Sequence, residues 1–226
     1  MCFSAEASFA ASGLLAASSV AIARVPKPKA AIPLSLFPAV FSVHQFTEGL
    51  IWLNQDGIIP DAWRLGIVAM YALIAYALWP MFVPFAAFLI EAEGKRRAIV
   101  LACQVIGLWC GASLLLSIAR HPVLVSADCC SLSYSVNAPA YLTAPYLVAT
   151  CLPFLLSGQR SLVLFGVGLV ASCAAAALSA SAWTFPSVWC FFAALLSGGL
   201  YLYFKACARA MVQQPGQRAT CGAVTM

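Results

Sequence analysis

The residues that could do chemistry are concentrated in one stretch, Phe41 to Trp52, which reads FSVHQFTEGLIW and carries His44, Gln45, Thr47 and Glu48. His44 and Glu48 stand four residues apart, so a helix places an imidazole and a carboxyl group on one face. That pair can relay a proton, act as a general base or bind a cation. The stretch lies inside an apolar run long enough to cross a bilayer. An ionisable group in hydrocarbon is costly, and such groups face the protein interior or a polar pathway. Glu48 and His44 are therefore the candidate catalytic residues. Cys2 and Glu6 are also four apart, near the end of the preceding apolar run. They complete a candidate metal set of His44, Glu48, Glu6 and Cys2. Imidazole with carboxylates suits zinc, iron or manganese, and a thiolate favours zinc or copper. The cofactor this set implies is a transition metal: zinc, copper or iron. With an open coordination position it would activate water. Each residue has a plainer reading. Glu48 can be an uncharged acid that locks helices, Glu6 a carboxylate reaching interfacial water, and Cys2 a small apolar residue at a helix start.

The elements that must position these residues follow from composition. Of 226 residues, 63% are hydrophobic and 8% are charged, with a mean hydropathy of +0.94. A soluble domain carries about 25% charged residues, so the class is a polytopic membrane protein. Runs near the 20 apolar residues that cross a bilayer occur at about 3–23, 32–53, 65–90, 97–118, 139–157, 162–182 and 185–205. The fold expected is all-α, a bundle of seven transmembrane helices over 1–209. A disordered cytoplasmic tail over 210–226 follows. Pro80 and Pro84 predict a kink or early exit in the third span. Small residues in spans one and six favour close backbone approach.

Alternate loops place Arg24, Lys27, Lys29, Lys95, Arg96, Arg97, Arg160, Lys205, Arg209 and Arg218 on one side, with only Arg64 and Arg120 on the other. The positive-inside rule then puts the N-terminus outside and the C-terminus in the cytoplasm. The location expected is the inner (plasma) membrane, and the partners are the lipid bilayer and a small ligand or metal ion. The first span lacks a basic leading region and is read as retained, not as a cleaved signal. The net charge of +5 is spread over short loops, so nucleic acid is not an expected partner. Trp52, Trp63, Trp183 and Trp189 fall where interfacial anchors sit. Tyr71, Tyr76, Tyr141 and Tyr146 are placed to offer hydroxyls in the outer half. The longest loop, 119–138, lies outside with His121, Asp128, Cys129 and Cys130. Cys129 and Cys130 are candidates for disulfides in an oxidising compartment. Cys103, Cys110, Cys151, Cys173 and Cys190 fall in apolar runs and read as small hydrophobes.

The opening Met-Cys-Phe-Ser-Ala-Glu-Ala-Ser-Phe, the segment Ala31-Ile-Pro-Leu34 and the stretch His44 to Trp52 together resemble a family of uncharacterised bacterial membrane proteins, classed as a domain of unknown function. Its members start with Met-Cys-Phe-Ser and carry Gln-x-x-Glu-Gly-x-x-Trp in the second of seven helices. The matching positions here are Gln45, Glu48, Gly49 and Trp52. The resemblance implies the seven-helix fold and singles out Glu48, and it implies no activity.

Three functions compete. The first is an outward-facing polar pocket of His44, Glu48, Glu6 and Cys2 that binds a small ligand or metal, with membrane metalloenzyme activity as its extension. The second is a proton-coupled permease for a small solute, with Glu48 and His44 as relay. The third is a helical scaffold or sensor without chemistry. No Walker loop, dinucleotide glycine motif or haem attachment pair occurs.

Overall fold

The computed structural model describes residues 4–92, 94–128, 131–179 and 184–213. Cys2, Cys129, Cys130, Trp183 and the expected tail from residue 214 onward lie outside the described residues, while 210–213 continue the last helix. Among the described residues the regular elements are helices and one two-stranded hairpin. Six helical stretches among the described residues are long and apolar enough to cross a membrane: Ala5–Ala23, Lys29–Gln55, Asp61–Ile90, Lys95–Arg120, Arg160–Ser179 and Phe185–Met211. The fifth expected span is a shorter apolar helical stretch, Ala140–Leu155.

Helix α1 (Ala5–Ala23) starts where Ser4 caps it, its hydroxyl accepting the Ala7 N–H at 3.3 Å. It buries Ala5, Ser8, Ser12, Leu15 and Ile22, a stripe at three- and four-residue spacing. That stripe lies against α2 (Phe37–Gln55), which a helical turn at Ile32–Ser35 introduces. Two serines clasp the pair. Ser12 Oγ donates to the Ser42 carbonyl and Ser42 Oγ to the Ser12 carbonyl, both at 2.9 Å. Nearer the polar stretch, a methyl group on Gly49 would lie 2.7 Å from the Phe9 ring, so glycine lets that ring sit where it does. Phe9 also meets Phe46, with ring centroids 5.4 Å apart.

The third span is α3 (Arg64–Ala72), a π-helical segment Leu73–Leu78 and α4 (Trp79–Ile90). Pro80 and Pro84 therefore change the winding and do not force an early exit. In a π turn each N–H bonds the carbonyl five residues back. Pro80 has no N–H, so Ala75 lacks that donor, and the Tyr146 hydroxyl donates to its carbonyl at 2.6 Å instead. Helix α5 (Lys95–Arg120) presses on the same region. A methyl group on Gly107 would come within 1.8 Å of the Pro80 carbonyl oxygen, and one on Gly111 within 2.7 Å of the Ala77 carbonyl oxygen.

The loop expected over 119–138 contains an antiparallel hairpin, β1 (Leu124–Asp128) paired with β2 (Ser131–Ser135). This short strand pair is the departure, among the described residues, from the helical fold expected. Val123, Val125, Leu132 and Tyr134 are buried, in a cluster with residues of α2 and α3. Arg64 Nη2 donates to the Val125 carbonyl at 2.7 Å and ties the hairpin to the start of α3. Helices α6 (Thr143–Leu155), α7 (Arg160–Ser179), α8 (Phe185–Gly198) and α9 (Leu200–Gln213) complete the bundle.

At the end opposite the hairpin, Glu91 follows α4 and is buried. Its carboxylate accepts the Ser157 hydroxyl at 3.0 Å and the Gly158 N–H at 3.1 Å, just before α7. Gln159 Oε1 in turn accepts the Tyr203 hydroxyl at 2.7 Å. Three segments far apart in sequence are thereby joined at the end rich in lysine and arginine.

Candidate functional site

The polar face of α2 points into the bundle. His44 and Gln45 are 0% exposed and Glu48 is 2% exposed. Glu48 is thus kept away from lipid. Its Oε1 accepts a short hydrogen bond from the Ser187 hydroxyl, at the first turn of α8. Its Oε2 accepts Gln45 Nε2 at 3.3 Å, from one turn earlier on α2. Hydrogen bonds to a charged acceptor contribute about 1.5–3 kcal/mol each, yet both donors here are neutral. A lone carboxylate in such surroundings needs a proton or a cation with it.

His44 shares the inward face with Glu48 but makes no hydrogen bond to it. The imidazole stacks on Tyr71 at 4.3 Å between centroids and 27° between planes. Tyr71 in turn stacks on Tyr134 of β2 at 4.1 Å and 4°. The hairpin thus lays an aromatic lid on the polar layer. On the other side His44 meets Phe41 edge-on, and Phe41 stacks on Trp79 at 4.1 Å. Both ring nitrogens of His44 are buried without a hydrogen-bond partner, as are Gln45 Oε1 and the hydroxyls of Tyr71 and Tyr134. Burial, and then the nearby Glu48 charge, push the Tyr134 hydroxyl well above the usual phenol range.

Glu6 is not part of this layer. It is exposed, because the buried face of α1 runs through Ala5, Ser8 and Ser12, and position 6 falls off that stripe. The expected metal set keeps two members inside, His44 and Glu48, while Glu6 points away and Cys2 lies outside the described residues. Among the described residues no group of three or more His, Cys, Asp or Glu side chains is placed to hold a metal ion. An apolar cavity of about 40 Å³ lies beside Phe41, Trp79, Tyr146, Trp189 and Cys190. His44 and Glu48 do not line it, so it is not the polar pocket expected from sequence.

Other expected groups are distributed as follows. Trp52 and Trp189 are buried, and Trp189 Nε1 donates to Ser172 Oγ at 3.2 Å, so these two are core residues and not interfacial anchors. Trp63 remains exposed. Tyr141 is exposed and stacks on Trp109. His121 is exposed at the end of α5. Two residues of the site went unread. Ser187 is one serine among many in apolar runs and gives no local signal. Tyr134 had one: Ser131-Leu-Ser-Tyr-Ser135 alternates polar and apolar residues, the period of a half-buried strand.

These features define a helical protein with, among the described residues, six helices of membrane-crossing length and an enclosed acid, Glu48, beneath a hairpin. The chain belongs to DUF6629, a family of unknown function, whose model matches residues 1–216. No curated protein and no solved structure matches it.

Proposed function

We propose that the chain is a multi-pass carrier of the inner (plasma) membrane that couples passage of a small solute to a proton. Seven helices cross, with the N-terminus outside, the C-terminus in the cytoplasm and the hairpin on the outer face. The asymmetry of lysine and arginine between alternate loops supports that orientation. The observation that carries the function is Glu48, an enclosed carboxyl whose described partners, Ser187 and Gln45, are both neutral. Neutral donors fit both the charged and the protonated form of the acid, so a carboxyl held by them can load and unload a proton. His44, one turn away with both nitrogens unpartnered, supplies the next proton-accepting group. The interrupted third span, with its π segment and two prolines, supplies a helix able to change shape, and π segments recur at functional sites.

The test uses purified protein in sealed vesicles that contain a pH-sensitive dye. Vesicles are challenged with panels of amines, amino acids and sugars. A solute-dependent change in internal pH, lost in Glu48→Gln, is the expected result. Identical traces from unmutated, Glu48→Gln and protein-free vesicles overturn the proposal.

A further inference from the structure

Native interiors leave few buried polar atoms unpaired, and each calls for a partner. Here five such atoms sit on four side chains around one acid: both nitrogens of His44, Gln45 Oε1, and the hydroxyls of Tyr71 and Tyr134. All four side chains are at most 2% exposed. They are mutually adjacent: Tyr134 stacks on Tyr71, Tyr71 on His44, and Gln45 donates to Glu48.

Their chemistry is uneven. Gln45 spends one of its two amide N–H bonds on Glu48, and its carbonyl oxygen, with two lone pairs, has no donor. Neutral imidazole offers one acceptor nitrogen and one N–H, and each phenol offers one O–H and an oxygen that can accept. Ser187 already donates to Glu48. With the free lone pairs of an ionised Glu48 included, acceptor positions outnumber the N–H and O–H donors left in the layer, and the carboxyl group has no cation among its described partners. The complement is positively charged and rich in donors. Alkali and alkaline-earth ions prefer shells made of oxygen. A mixed set of imidazole nitrogen, amide oxygen, phenol oxygen and carboxylate suits N–H donors.

We infer that the layer formed by His44, Gln45, Glu48, Tyr71 and Tyr134 is a binding site for a small N–H cation, ammonium or a short primary amine. The inference rests on the carrier reading and names the class of its solute. Tyr134 lies over the site on the hairpin, so entry from that end requires β1 and β2 to lift away from α3. Arg64, bonded to Val125, is the tether that such a movement breaks.

The experiment reads binding, not transport. The intact purified protein is titrated in detergent with ammonium chloride, methylammonium chloride, sodium chloride or choline chloride at fixed ionic strength. The midpoint of thermal unfolding is recorded. A ligand that binds the folded form raises that midpoint with its concentration. A saturable rise with ammonium and methylammonium, absent with choline, is expected. Its apparent affinity should fall at least tenfold in Glu48→Gln. Tyr71→Phe keeps the ring stack and removes one acceptor, so it should weaken binding even if Glu48→Gln does not fold. Equal shifts with all four salts overturn the site, as does a rise with sodium alone or one unchanged in both variants. Ammonium binding without any solute-dependent pH change in vesicles would keep the site and remove the carrier. Transport of another solute without ammonium binding would do the reverse.

Discussion

Replacing Ser187 with alanine isolates the contact that joins α8 to the acid on α2. The hydroxyl donates to Glu48 Oε1, and both residues are at most 2% exposed. Alanine fills nearly the same space, so the loss is mainly the hydrogen bond. A buried acceptor left without its donor costs about 1–3 kcal/mol, and near-complete burial places this site around 2 kcal/mol. At 1.4 kcal/mol per decade, that is about a 30-fold shift in the folding equilibrium. Equilibrium unfolding in micelles, followed by tryptophan emission, measures it; Trp189 lies two residues away on the same helix. In a Glu48→Leu background the hydroxyl has lost its acceptor, and Ser187→Ala should then cost almost nothing. The coupling between the two changes should therefore be about 2 kcal/mol, within the range seen for residues in contact. A Ser187→Ala loss under about 0.5 kcal/mol, the scale of ordinary surface changes, together with additive effects, would refute the assignment of Ser187 as the partner of Glu48.

Further outcomes follow from the same geometry. Gly107→Ala drives a methyl group against the Pro80 carbonyl, and overpacking of this kind costs about 1–3 kcal/mol. Gly13→Ala, with open space around it, should leave the unfolding midpoint unchanged or higher, so the two variants compared in one assay separate crowding from helix propensity. Glu91→Ala strips the acceptor from buried Ser157 and from the Gly158 N–H and should cost about 1–3 kcal/mol, the cost of one buried unpaired donor, with faster backbone amide exchange at Gly158. Glu6→Gln should change stability by less than about 0.5 kcal/mol, as exposed substitutions do, and leave vesicle pH traces as they were; a loss of flux would return Glu6 to the site. Tyr134→Phe should preserve the fold, because the ring stack persists, whereas Tyr134→Ala should expose the polar layer and speed modification of Cys190 by a small thiol reagent.

Apolar run length by itself located the helices, because crossing-length segments need little beyond composition to be recognised. The cost of a carboxyl group in such a run also identified Glu48, and the four-residue spacing put His44 on the same inward face. Local pattern carried even the hairpin strand at Ser131–Ser135, although the alternation is short. What the chain could not announce was rotation and partnership. The direction in which Glu6 points depends on which stripe of α1 meets α2, and the Ser12–Ser42 clasp and the fit of Phe9 on Gly49 decide that. Ser187 became the donor to Glu48 because two helices separated by 139 positions cross at that depth. His44 was turned toward Tyr71 and not toward the acid by a ring stack that the hairpin completes. Hydropathy is a property of segments and survives in one dimension. Which atoms share a hydrogen bond depends on helix phase and crossing point, and packing alone sets those.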